Sequence, residues 1–95
     1  MSQSEGDRMV LQGHLNMDTV PELFATGLRH LAQEDLLVDF SGVESVDSAA
    51  VSMLLGWERA AQRAERKLRV SGLPEDLLSL ARLYGVDKLL PQYSS

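Results

Sequence analysis

The sequence predicts an α/β domain: a small, mostly parallel sheet of about four strands, with helices packed mainly on one face. Three observations predict it. Short apolar runs of strand length alternate with longer stretches whose apolar residues recur at helical spacing. The order is strand, helix, strand, helix, strand, helix, short strand, so consecutive strands are joined by helical crossovers. The strands are short beside long helices, which favours stacking the helices on one side.

Met9-Val10-Leu11 followed by Gln12-Gly13-His14-Leu15 reads as a strand that ends in a turn. Gly13 interrupts the apolar run, as a bulge or a close approach would. Earlier residues carry only a weak edge-strand signal. Thr19-Val20-Pro21-Glu22 reads as a helix start: Thr19 to cap, Glu22 to close a capping box, Pro21 in the first turn where its missing N–H costs nothing. Val20, Leu23, Phe24, Gly27, Leu28 and Leu31 then share one face, and the helix is expected to end near Gln33.

Leu36 to Phe40 is a second strand, a continuous apolar run suited to cover on both faces. It is expected to break at Ser41-Gly42. A helix then runs from Asp47 to about Glu65, with Val51, Leu54, Leu55 and Ala61 as its core stripe. Gly56 costs roughly 1 kcal/mol against Ala inside a helix, so it suggests a closely packed neighbour. Leu68-Arg69-Val70-Ser71 alternates and reads as a third strand. Gly72-Leu73-Pro74-Glu75-Asp76 opens the next helix, with acids where the dipole favours them. Leu77, Leu80, Ala81 and Tyr84 form its expected buried side, and Gly85 its stop. Val86, Leu89 and Leu90 would add a short strand or an apolar cover.

Ninety-five residues make one domain, 1–95, with 1–7 as a flexible or weak-strand N-terminus and 92–95 as a tail. A chain this short buries only about 60–65% of its extended surface, so the core is modest. Cysteine is absent, which excludes disulfides and thiolate metal sites and suits a reducing compartment. The start, MSQSEGDR, lacks a positive, apolar signal pattern. No run approaches the ~18 apolar residues of a spanning helix. The expectation is a soluble, cytoplasmic protein without direct membrane insertion. The formal net charge of −5 argues against nucleic acid and anionic membrane surfaces as partners. One basic cluster stands out: Arg59, Arg63, Arg66, Lys67 and Arg69. It reads first as a solvated helix face offset by Glu58 and Glu65, and otherwise as a contact for an acidic partner surface.

Polar chemistry and architecture converge at Val46-Asp47-Ser48. A helix N-terminus has unsatisfied N–H groups and partial positive charge. Asp47 or Ser48 can cap it, worth about 1 kcal/mol. Met53 and Trp57, four apart and off the core stripe, are candidates for an exposed contact pair, since Trp is enriched at binding hot spots. Trp57 covering the edge of the core is the competing reading. His14 and His30 are isolated, with no HxxxH or carboxylate spacing for a metal. No GxSxG elbow, serine–histidine arrangement or phosphate-cradling glycine loop is present. No catalytic residue, metal or cofactor is expected, and the chain should not be an enzyme.

Leu11-Gln12-Gly13-His14-Leu15, Val38-Asp39-Phe40-Ser41-Gly42-Val43 and Val46-Asp47-Ser48 resemble the three signature blocks of STAS domains, the family named for sulfate transporters and anti-sigma factor antagonists. The likeness runs from about Met9 to Leu90. The length, and the ending Leu80-Ala81-Arg82-Leu83-Tyr84 then Leu89-Leu90-Pro91, further resemble the small STAS subunit of the Mla phospholipid-transport ABC system. The resemblance implies a STAS-like fold without catalytic activity that binds a partner around the Asp-Ser junction. Carried over by position, it nominates Asp47, Ser48, Ala49 and Ala50 as partner-binding, beside Met53 and Trp57, and Ser48 as a possible phosphoryl acceptor.

In the Mla subgroup the implied partner is the ATPase subunit of an ABC transporter, which would hold the chain peripheral to the inner membrane. The alternative is an anti-sigma factor antagonist, bound by an anti-sigma factor kinase and released by phosphorylation of Ser48. Ala49 and Ala50 stand where many relatives carry a second hydroxyl or glycine. Two alanines favour helix from the first turn, which hinders a kinase and leaves close apolar docking easy.

Overall fold

The computed structural model describes residues 7–86, 88 and 93–94. In order these form β1 (Asp7–Leu15), α1 (Val20–Leu31), β2 (Leu36–Val46), α2 (Ser48–Ala64), β3 (Leu68–Ser71), α3 (Glu75–Leu83) and β4 (Tyr93–Ser94). The sheet has four strands in the order β1-β2-β3-β4, and every pair is parallel. Each crossover advances one strand in the same direction. Right-handed connections then put their helices on a single face.

Burial agrees with that arrangement. Along β2, Leu36, Val38 and Phe40 are sealed, while Leu37 and Asp39 between them are only half covered. β3 repeats the pattern with Leu68 and Val70. Cover on both faces of β2 was the expectation, and only one face receives helices. The other carries Arg8, Gln12, Asp39 and Arg69, whose polarity suits water.

β2 does not break at Ser41-Gly42. It runs eleven residues, because β1 continues to pair with it through two register shifts. Between Val10 and Gln12, and again between Gly13 and His14, β2 takes one more residue than β1. Ser41-Gly42 therefore marks a bulge. A Cβ on Gly42 would lie 3.1 Å from both Leu11 O and Gln12 Cγ, so the strands meet closely there. Gly13, at φ +78°, supplies the left-handed backbone beside the second shift.

Asp39 fixes the bulge from the open face. The Ser41 N–H, the Ser41 hydroxyl and Arg8, whose Nη2 donates to Oδ2 at 3.0 Å, hold its carboxyl below the ordinary value of 3.8. A carboxylate with a depressed native pKa adds stability above the unfolded value and loses it as pH falls through the native one. In an acid titration followed by chemical denaturation, wild type should therefore lose more stability below about pH 4 than Asp39→Asn does.

α1 starts differently from the expected capping box. Thr19 adopts helical angles and makes no side-chain cap; its hydroxyl donates to His14 O at 2.8 Å. Asn16 Oδ1 instead accepts the N–H groups of Asp18 (2.8 Å) and Thr19 (3.2 Å), a side-chain turn that leads into the helix. The helix ends at Leu31, slightly short of Gln33.

α1 and α2 lock through two glycine–aromatic contacts. A Cβ on Gly27 would sit 2.4 Å from the Trp57 ring, and one on Gly56 would sit 2.7 Å from the Phe24 ring. Trp57 Nε1 donates to Phe24 O at 3.0 Å. The close neighbour expected of Gly56 is thus Phe24.

β3 spans the predicted residues. α3 ends as expected at Gly85: its φ is +72°, Gly85 N–H donates to Arg82 O, and Val86 N–H reaches back to Ala81 O at 2.9 Å. Tyr84, expected on the buried side, is 53% exposed, because α3 stops at Leu83 and the chain turns away. Tyr93 and Ser94, expected in a tail, pair with Val70 and Ser71. Leu89 and Leu90 lie outside the described residues. Among the described residues no helix is long and apolar enough to cross a membrane.

Candidate functional site

The site stands at the carboxyl end of the longest strand. β2 finishes at Val46 opposite Leu15, and Asp47 N–H donates to Leu15 O at 3.1 Å. That bond extends the ladder by one step and fixes where α2 begins. Asp47 keeps extended angles (φ −129°, ψ −169°), and its Oδ1 accepts Ala49 N–H at 2.7 Å. Asp47 therefore takes the capping role, and Ala50 N–H closes onto its carbonyl at 3.0 Å.

Capping by Asp47 releases Ser48. It is the first helical residue, its side chain is exposed, and its hydroxyl makes no hydrogen bond among the described residues. Ala49 is half-buried and Ala50 fully buried. Asp47→Ala should lower stability by about 1 kcal/mol, read from the denaturation midpoint, because it orphans the Ala49 N–H.

Met53 and Trp57 do not belong to this surface. They are 1% and 0% exposed and lie in the core. The expectation of an exposed pair is corrected: α2 packs against α1 as well as the sheet, so its buried arc is wider than the stripe Val51, Leu54, Leu55 and Ala61. Neither side chain is available to a partner in this fold, nor is that of Ala50.

The aromatic at this corner is Tyr84. An open groove of about 410 Å³ is lined by Ser48, Val51, Ser52, Leu55, Tyr84 and Val86. Ser52 is exposed one turn beyond Ser48, and Leu83 is 76% exposed beside Tyr84. Helical spacing from Leu77 put Tyr84 inside; the Gly85 stop directly after it was the available sign that the helix face ends there.

His14 is not isolated, since its Nδ1 lies 2.6 Å from Ser45 Oγ in an exposed hydrogen bond. An open depression of about 570 Å³ adjoins it, lined by Gln12, Asn16, Asp18, Thr19, Glu22 and Leu23 among others. No carboxylate hydrogen-bonds to His14 among the described residues, so the pair lacks the orienting group of a serine triad. Among the described residues no cluster of three or more His, Cys, Asp or Glu side chains could hold a metal ion.

A four-stranded parallel sheet with an Asp-Ser corner at the head of α2 is the arrangement that the resemblance to STAS domains implies. The family model described as "Mlab, STAS domain" matches residues 1–91, and the chain belongs to this family. No curated protein matches the sequence. Among solved structures, the anti-sigma factor antagonist SpoIIAA in its unphosphorylated form superposes with a TM-score of 0.75 at 14% identity, covering 100% of this chain and 85% of that one. A candidate anti-sigma factor antagonist from Thermotoga maritima gives 0.75 at 14% identity, covering 93% and 80%. The STAS domain of a SulP transporter from Vibrio cholerae gives 0.67 at 14% identity, covering 99% and 77%. At this identity the likeness concerns the fold. Domains of this family are generally non-enzymatic and mediate protein–protein interactions.

Proposed function

We propose that this chain is a non-enzymatic accessory subunit that binds and stabilises the cytoplasmic ATPase of an ABC-type phospholipid-transport complex. Asp47, Ser48 and Ala49, with the groove that runs to Tyr84, form the contact. One observation carries the reading: Asp47 satisfies the helix end, so Ser48 presents an unused hydroxyl at an exposed corner beside an apolar groove. The Mlab description of the family model supports an ABC partner. Binding only the assembled ATPase would stabilise it by mass action, by about 2.7 kcal/mol at a hundredfold excess over Kd. Through that partner the chain would be held at the cytoplasmic side of the inner membrane.

The second reading is an anti-sigma factor antagonist switched by phosphorylation of Ser48. The exposed, unbonded hydroxyl favours it too, since a kinase must reach its acceptor. Affinity capture of the tagged chain from its own cells, followed by mass spectrometry, separates the two. The first reading expects an ABC ATPase with its permease. Recovery of a serine-kinase-like anti-sigma factor without them would contradict it.

A further inference from the structure

α2 carries a second surface, at its other end. There α1 and α2 leave an apolar groove of about 310 Å³, lined by Leu28, Leu31, Ala32, Ala60, Arg63 and Ala64. Leu31 is buried and forms the floor, while Ala32 and Ala64 are exposed on the walls. Alanine walls let a third segment approach closely.

The rim is cationic. Arg63 lines the groove, and Arg59 precedes it by one turn. Both are exposed, and neither forms an ion pair among the described residues. Arg66 and Lys67 follow, and the Arg66 Nε is buried without a hydrogen-bond partner among the described residues. Five of the nine Lys and Arg residues lie between positions 59 and 69, in a chain whose net charge is −5. Of the nearby acids, Glu58 accepts from Gln62, Asp35 accepts the Lys67 N–H and Glu34 has a contact of its own, while Glu65 caps the helix through its backbone and is exposed. The helix dipole accounts for a cation in the last turn, such as Arg63, but its effect fades before Arg59.

We infer that this groove receives an acidic amphipathic helix of a partner protein. One or two aliphatic side chains enter between Leu28 and Ala60, and flanking carboxylates lie over Arg59 and Arg63. Charge complementarity names the occupant. Ser48 and Arg63 stand fifteen residues apart on one helix, roughly 22 Å at 1.5 Å per residue, so both ends of α2 can be engaged at once. The inference is independent of what binds at Ser48.

The test is a titration of the isotope-labelled chain, followed by amide resonances. The probe is a synthetic amphipathic helical peptide with leucines on one face and glutamates flanking them. The control carries lysine at each glutamate. The expected result is shifts at Leu28, Ala32, Ala60, Arg63 and Ala64, none at Ser48 or Tyr84, and no response to the control. Arg59→Glu with Arg63→Glu should weaken binding by about tenfold or more. Ala64→Trp, at an exposed position, should block the groove while circular dichroism confirms the fold. Equal binding of both peptides, shifts elsewhere or no binding would overturn the proposal. So would concentration-dependent shifts of these residues without peptide, which would assign the groove to a second copy. Sedimentation with anionic phospholipid vesicles in the absence of peptide binding would assign it to a lipid surface instead.

Discussion

Trp57→Ala should destabilise the domain by about 3–5 kcal/mol, the range for removing a large aromatic from a packed core. Trp57 is fully buried, its ring lies against Gly27, and its Nε1 satisfies Phe24 O. The substitution leaves a cavity between α1 and α2 and removes a part-buried hydrogen bond. From a total stability on the order of 5–15 kcal/mol, this would remove a large part of the margin that keeps the domain folded. A urea denaturation curve followed by circular dichroism reads this directly. The companion variant Gly27→Ala sharpens the interpretation. On an exposed helix, alanine in place of glycine gains up to about 1 kcal/mol. Here the new Cβ would fall 2.4 Å from the indole, so the sign reverses and about 1–3 kcal/mol should be lost.

Ser48→Asp is expected to separate binding from folding. A carboxylate at the first helical position faces the positive end of α2, so stability should hold or rise by about 0.3–1 kcal/mol. A partner seated on the corner must instead desolvate that charge. Where the partner offers no counter-charge, the cost of about 1–3 kcal/mol corresponds to roughly a 5- to 150-fold loss of affinity. Ser48→Ala removes only a neutral hydroxyl and should change affinity by less than about tenfold. Calorimetric titration of the purified partner with the three proteins reads these differences. A carboxylate that leaves affinity untouched would mean the partner does not cover Ser48.

The local patterns of this chain are legible where a single element decides them. The alternation Leu68-Arg69-Val70-Ser71 defines β3 residue by residue, and Gly85 defines where α3 stops. Asp47 before an apolar helical run is a cap by its chemistry, and that is its role. What escaped the sequence depends on second elements. Ser41-Gly42 has the composition of a break, yet pairing with β1 carries β2 through it as a bulge. Met53 and Trp57 lie off the stripe that faces the sheet, but α1 supplies another wall, for which Gly27 and Gly56 were the only local signs. Tyr84 keeps helical spacing with Leu77, yet the helix end exposes it beside Ser48. The corner itself could be found from the sequence. The aromatic that flanks it left one sign, the Gly85 stop directly after it.

Under the proposed function, the Ser48 corner works by contact with an ATPase. A photo-crosslinking residue placed at Ser52, exposed one turn beyond Ser48, tests it most directly when the assembled complex is irradiated. The expected result is a covalent adduct between this chain and the ABC ATPase subunit, lost when Ser48→Asp is added. An ATPase that co-purifies in full but never crosslinks from Ser52, or an adduct that survives Ser48→Asp unchanged, would contradict it.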